Sequence, residues 1–181
     1  RWKWACALVL AFVLIMGRTA AAQTTQTVSL DAGWNLVSLH VQPEDSSFAS
    51  ILDGVSGAVL MVKNENGEVY LPSEGIGQIS TWRADEGYKV YAETATTLEV
   101  TGTAVSPGAT AIELGEEGNI VPYLSDQAQA IEDVLLTIDE NLGSVENEDG
   151  QQYKPSASSP SLDSLRPGQG YKVYVDRADT L

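Results

Sequence analysis

The pentapeptide Gly87-Tyr-Lys-Val-Tyr91 returns unchanged as Gly170-Tyr-Lys-Val-Tyr174, 83 residues further on. A spacing that also holds through the flanking sequence marks a chain built from two copies of one unit, so each copy checks the reading of the other. On this basis residues 23–102 form a first repeat module, 103–110 a linker and 111–181 a second module. The linker Thr103-Ala-Val-Ser-Pro-Gly-Ala-Thr110 is rich in turn formers, and Gln23-Thr-Thr-Gln26 reads as a short polar lead.

Each copy opens with two short strands around a Gly/Asp turn. Val28–Leu39 corresponds to Ile112–Tyr123, with alternating and β-branched residues on both sides of the turn. A helix is expected next. Phe48, Ile51, Leu52 and Val55 fall at i, i+3, i+4 and i+7, and Ile131, Val134, Leu135 and Ile138 repeat that stripe with different residues. Ser46 or Ser47 is placed to cap the first helix, and Ser125 or Asp126 lies near the start of the second. A hairpin follows, Val62–Pro72 against Val145–Pro155, with Asn66-Gly67 and Asp149-Gly150 expected as the central pairs of type I′ turns. The pentapeptide makes another strand, with Tyr88 and Val90 on one face and Lys89 and Tyr91 on the other. Thr97–Thr101 closes the first copy. Thr180-Leu181 aligns with Thr97-Leu98, so the second module is expected to be C-terminally truncated, its last strand missing and its parent protein continuing. The fold class expected is α+β, mainly antiparallel β: two tandem copies of a small sheet, each with one packed helix.

Residues 1–22 have the layout of a secretory signal. Arg1 and Lys3 are basic, Ala5–Met16 is apolar, and Ala20-Ala21-Ala22 is a small-residue cleavage site. A spanning helix needs roughly 20 apolar residues, whereas Gly17 and Arg18 interrupt this run. Cleavage after Ala22 is therefore expected in preference to an anchor. Cys6 stands at the start of the apolar run, where a lipid-attachment cysteine would follow it, so the mature chain has no cysteine and no disulfide. The mature chain carries seven Lys and Arg against 25 Asp and Glu, a net charge of −18. Such a surface repels nucleic acid and anionic lipid, so neither is expected as a partner, and no membrane association is expected after signal cleavage.

Candidate chemistry is sparse. His40 is the sole imidazole, and its counterpart is Leu124, which fits a packing position better than a catalytic base; no nucleophile elbow or HExxH motif accompanies it. Glu146-Asn-Glu-Asp-Gly150 resembles half of an EF-hand loop. With Gly150 at position 6, however, Val145 and Ser156 stand where carboxylates are required. Nothing singles out a carboxylate pair for glycoside hydrolysis. No catalytic, cofactor-binding or metal residue is therefore expected. Among the aromatics Trp82 maps to Leu165, a buried apolar position, and Tyr70/Tyr153, Tyr88/Tyr171 and Tyr91/Tyr174 are kept as packing pairs. Trp34 differs, because its counterpart is Gly118. It either covers one end of its own core or stands open to a ligand, and it is the one candidate ligand contact.

Leu30-x-x-Gly-Trp-Asn-Leu-Val-Ser-Leu39, Gly67-Glu-Val-Tyr70, Gly87-Tyr-Lys-Val-Tyr91 and Leu98-Glu-Val-Thr-Gly102 together define a pattern. The pattern resembles the tandem "GWNLVSL … GYxVY … LxVxG" repeat modules of secreted or cell-surface proteins of Gram-negative bacteria, which often lie upstream of a type IX secretion sorting domain. The second copy departs from it at Glu117-Gly-Asn119. The resemblance implies a secreted or cell-surface location and a non-catalytic structural, adhesion or spacer role, with a cell-surface glycan or neighbouring modules of the same chain as partners. A carbohydrate-binding module is the alternative and a hydrolase a distant one.

Overall fold

A computed structural model describes residues 22–181. The expected leader, apart from Ala22, lies outside the described residues, and Cys6 with it. Strands dominate, and all pair antiparallel. In chain order β1 is Gln23–Leu30, β2 Gly33–Val37, β3 Val41–Gln42, β4 Val59–Lys63, β5 Val69–Leu71, β6 Ile76–Gly77, β7 Tyr88–Ala92 and β8 Thr96–Ala104. The second half holds β9 (Glu113–Leu114), β10 (Glu117–Pro122), β11 (Gln129–Ala130), β12 (Leu142–Glu146), β13 (Gln152–Tyr153), β14 (Ser164–Leu165), β15 (Gly170–Val175) and β16 (Asp179–Thr180). Two single-turn helices complete the list, α1 (Phe48–Ile51) and α2 (Ile131–Val134).

The two main sheets run β2-β7-β4-β5-β6 and β10-β15-β12-β13. Both place the Gly-Tyr-Lys-Val-Tyr strand between the strand of the Trp34 or Gly118 turn and the first arm of the hairpin. Both also carry a bulge at the same point, between Val59 and Met61 in β4 and between Leu142 and Ser144 in β12. Period-2 alternation sets the faces: Tyr88, Val90 and Ala92 of β7 are buried while Lys89 and Tyr91 are not. Two apolar clusters result, one from residues within 28–100 and one from residues within 112–175. In the first, Phe48 stacks on Tyr70 and meets Trp82 and Tyr88 edge-on.

The helical stripe is buried, but the helices are shorter than its spacing suggested. Phe48, Ile51, Leu52 and Val55 all face the core, as do Ile131, Leu135 and Ile138, with Val134 partly covered. Only one α-turn forms in each half, and a 3-10 turn carries the rest, Asp53–Val55 and Leu136–Asn141. A 3-10 turn returns side chains to one side every three residues, so it serves the same stripe. Ser47 caps α1, its Oγ accepting from Ser50 N–H at 3.2 Å. The second cap is not at Ser125 or Asp126. Helix α2 starts after Ala130, which has no side-chain acceptor, and Ile131 N–H donates instead to the Asp163 carbonyl at 3.1 Å. Phe48 N–H does the same to Ser80 at 2.9 Å.

The hairpin turns also sit one residue earlier than expected. Gly67 N–H donates to the Asn64 carbonyl and Asn64 N–H to the Glu68 carbonyl, which makes Glu65 and Asn66 the central pair; Gly67 follows at φ 84°. Asn147, Glu148, Asp149 and Gly150 repeat this, with Gly150 at φ 76°. This is a three-residue loop in which glycine takes the left-handed position after a type I turn, so Asn-Gly is satisfied without a type I′ pair. Two further boundaries move: the polar lead Gln23–Gln26 is part of β1, paired along its whole length with β8, and β8 runs to Ala104, two residues into the expected linker. At the far end Asp179 and Thr180 pair with Leu114 and Glu113 in the manner of Thr96 and Thr97 with Leu30 and Ser29.

Deleting part of the buried stripe should therefore be costly. Leu52→Ala and Leu135→Ala are each expected to lose about 2–5 kcal/mol in urea unfolding. A second outcome concerns alkali. Burial raises the Tyr171 phenol to about 12 and the Tyr88 phenol higher still. An unfolded chain releases these protons near pH 10, so this stability is complete below about pH 10 and is lost as pH rises towards 12. Tyr171→Phe should flatten that fall in a plot of melting temperature against pH.

Candidate functional site

Strands β2 and β10 each form one edge of their sheet, and an edge strand carries backbone N–H groups with no ladder partner. Each edge is closed by the hairpin of the other half. Glu148 Oε2, at the tip of β12–β13, accepts from Leu36 N–H of β2 at 2.6 Å. Glu65 Oε2, at the tip of β4–β5, accepts from Ile120 N–H of β10 at 2.9 Å. The hairpin tips are stiffened for this by buried asparagines. Asn64 Oδ1 accepts from Glu68 N–H and Asn147 Oδ1 from Gln151 N–H, each at 2.9 Å. The edges are held likewise: Asn35 bridges both backbone groups of Asp31, and Asn119 both of Gly115.

Around these two contacts the halves meet closely. Gly87 N–H donates to the Ile120 carbonyl at 3.1 Å, and Ser38 N–H to the Gly168 carbonyl at 3.1 Å. A Cβ on Gly87 would sit 2.8 Å from the Ile120 side chain and 2.9 Å from its carbonyl oxygen. One on Gly170 would lie 3.3 Å from the Val37 backbone. The first residue of the repeated pentapeptide is thus glycine because the opposite edge strand passes against it. Burial raises the Glu148 carboxyl above the ordinary carboxylate range, against the lowering effect of the Leu36 N–H; Asp149 and Asp31 add to the rise.

Beside this seam lies the open face of β2, β7 and β4. Trp34 is on β2, is 47% exposed, and meets Tyr91 edge-on with ring centres 5.2 Å apart. It does not cover the core; its alternate, Asn35, faces inward. Trp34, Leu36, Lys63, Lys89, Glu148 and Lys172 border a hollow of about 380 Å³. Lys63 and Lys89 stand directly opposite each other across β4 and β7. The equivalent cross-strand pair in the second half is Glu146 with Lys172, an ion pair at 3.4 Å. The Lys89 ammonium is made more acidic first by burial, then by Lys172 and Lys63.

The other sequence candidates are dispersed. His40 is half-buried beside Leu124 in a separate hollow, and its backbone bonds Gln26 and Val105. Trp82 is buried at 3% exposure against Tyr88, and its indole N–H has no partner among the described residues. Tyr70 and Tyr153 are buried, as are Tyr88 and Tyr171, whose hydroxyls accept from Arg83 and Arg166 N–H. Tyr174 is 38% exposed and lies over Gly118, where a Cβ would come within 2.8 Å of its ring. Among the described residues no three His, Cys, Asp or Glu side chains gather closely enough to hold a metal ion, and no helix is long and apolar enough to cross a membrane. Sequence reasoning passed over Glu65 and met Glu148 only within an EF-hand-like run. Their signal was present, because both halves carry glutamate at the same point of a turn that needs only Asn and Gly.

The two glutamates should differ in weight. Glu148 meets the N–H of a buried leucine, so Glu148→Ala is expected to cost about 1–3 kcal/mol in urea unfolding. Glu65 bonds in an exposed setting, where water replaces the lost acceptor, and Glu65→Ala should cost under about 1 kcal/mol. Gly87→Ala should lower the melting temperature more than Gly170→Ala. No protein-family model, curated protein or solved structure matches this chain.

Proposed function

We propose that this chain is a non-catalytic structural module of an exported bacterial surface protein, serving as a spacer or adhesion block. Two tandem copies of one α+β unit, each with a short helix on its sheet, are joined into a single stiff body. The observation that carries this reading is the exchange of carboxylates, Glu148 onto Leu36 and Glu65 onto Ile120. The acidic hairpins, the candidates closest to a metal or catalytic site in the sequence, use Glu65 and Glu148 to close sheet edges. The shared sheet order, the shared bulge position and the repeated pentapeptide support a duplication. The leader-like residues 1–22 support export.

A carbohydrate-binding module is the second reading, favoured by one observation: Trp34 stands half exposed on a strand, with its ring steadied by Tyr91. An indole held in this way offers a flat apolar face to a sugar ring.

Two measurements test the first reading. Expression from residue 1 in a Gram-negative host should give an exported chain whose mass begins at Gln23; a chain retained in the cytoplasm with residues 1–22 intact contradicts export. Pulling on the termini of the mature chain should produce one cooperative unfolding event, which splits into two in the Glu65→Ala/Glu148→Ala double variant. Two independent events in the unaltered protein would show that the halves are separate beads and not one spacer.

A further inference from the structure

The mature chain has seven basic residues and 25 acidic ones. Three of those seven, Lys63, Lys89 and Lys172, border a single hollow. Like charges directly opposite on neighbouring strands destabilise a sheet, and carboxylates are abundant enough to have paired them. The second half shows the neutral solution at the equivalent position, Glu146 opposite Lys172. In the first half the position is lysine, and among the described residues neither Lys63 nor Lys89 has a carboxylate within ion-pair distance. Glu148 also borders the hollow, but its Oε2 is held by Leu36 N–H. The same hollow is walled by Trp34, whose counterpart in the other half is glycine.

We infer that this hollow binds the carboxylate of an acidic sugar, with the pyranose ring of a uronic acid residue against the Trp34 indole and its carboxylate shared by the ammonium groups of Lys63 and Lys89. Each part of the ligand answers one part of the site. The C–H face of a pyranose suits an exposed indole, which a bare phosphate or sulfate cannot use. Lys172 is already paired with Glu146, so two free ammonium groups remain for one anion. The acidic remainder of the surface does not prevent this, because screening at physiological salt confines its repulsion to about 8 Å. A nucleic acid, with a charge on every phosphate, meets that repulsion along its whole length. The inference rests on the reading of Trp34 as a sugar platform and adds the charge of the sugar.

Calorimetric titration of the mature chain with digalacturonate, with the neutral disaccharide of the same rings and with inorganic sulfate tests it. Digalacturonate should bind about tenfold more tightly than the neutral sugar at low salt, and the preference should shrink as sodium chloride is added. Lys63→Glu is the decisive variant, because it restores the cross-strand ion pair of the second half. It should abolish the preference for the acidic sugar while the melting temperature holds or rises, which separates lost binding from lost folding. Trp34→Ala should weaken both sugars. An undiminished preference in Lys63→Glu overturns the assignment, as does sulfate binding as tightly as digalacturonate. Equal affinity for the two sugars removes the acidic specificity and leaves the glycan reading standing; no binding of either sugar at millimolar concentration removes both.

Discussion

The backbone N–H of an edge strand has to find an acceptor, and here that requirement ties one half of the chain to the other. Strands β2 and β10 each form one edge of their sheet, and each turns one free donor, Leu36 or Ile120 N–H, towards the opposing hairpin. Several features otherwise hard to place follow from this contact. Glycine opens the repeated pentapeptide because an edge strand crosses it. Asparagine precedes each hairpin glutamate because the carboxylate must be presented at a fixed distance, and the side chains of Asn64 and Asn147 fix the loop that carries it. Residues 22–181 contain no cysteine and so no cross-link to hold two small cores together; hydrogen bonds join them at the seam.

Much of the interior was legible from the sequence because burial leaves a periodic trace. The stripe from Phe48 to Val55 and the alternation through Tyr88–Tyr91 both name buried positions correctly. Less legible was the backbone that delivers them. An α-turn followed by a 3-10 turn buries the same residues as a two-turn helix, so spacing alone did not separate them. The turn register was ambiguous for a similar reason. Asn-Gly suits both a type I′ pair and a type I turn followed by a left-handed glycine, and the deciding factor is the bonding of Asn64 to Glu68, four residues away. The seam left no periodic trace, since Leu36 and Glu148 are 112 positions apart. Only a comparison of the two halves at the level of charge, glutamate kept where the turn does not need it, could have pointed to those residues.

The lysine-bearing face was readable in part. Trp34 was marked because its counterpart is glycine, and the structure gives the physical content of that difference. In one half an indole stands against Tyr91; in the other a tyrosine ring lies across bare backbone at Gly118. The meaning of Lys63 depended on knowing which residue faces it across the sheet, and pairing register cannot be extracted from composition. The two halves thus share a sheet order while their outer surfaces differ at this face.

The exchange at the seam is also reciprocal. Contacts in which each partner gives the other the same thing are closed: Glu148 takes Leu36 N–H of β2 and Glu65 takes Ile120 N–H of β10, so neither glutamate is left over for a third unit. A head-to-tail contact would leave one edge open at every step and allow growth into a fibre. Here the exchange is complete within one pair of halves, each spending its own hairpin glutamate on the other's edge strand.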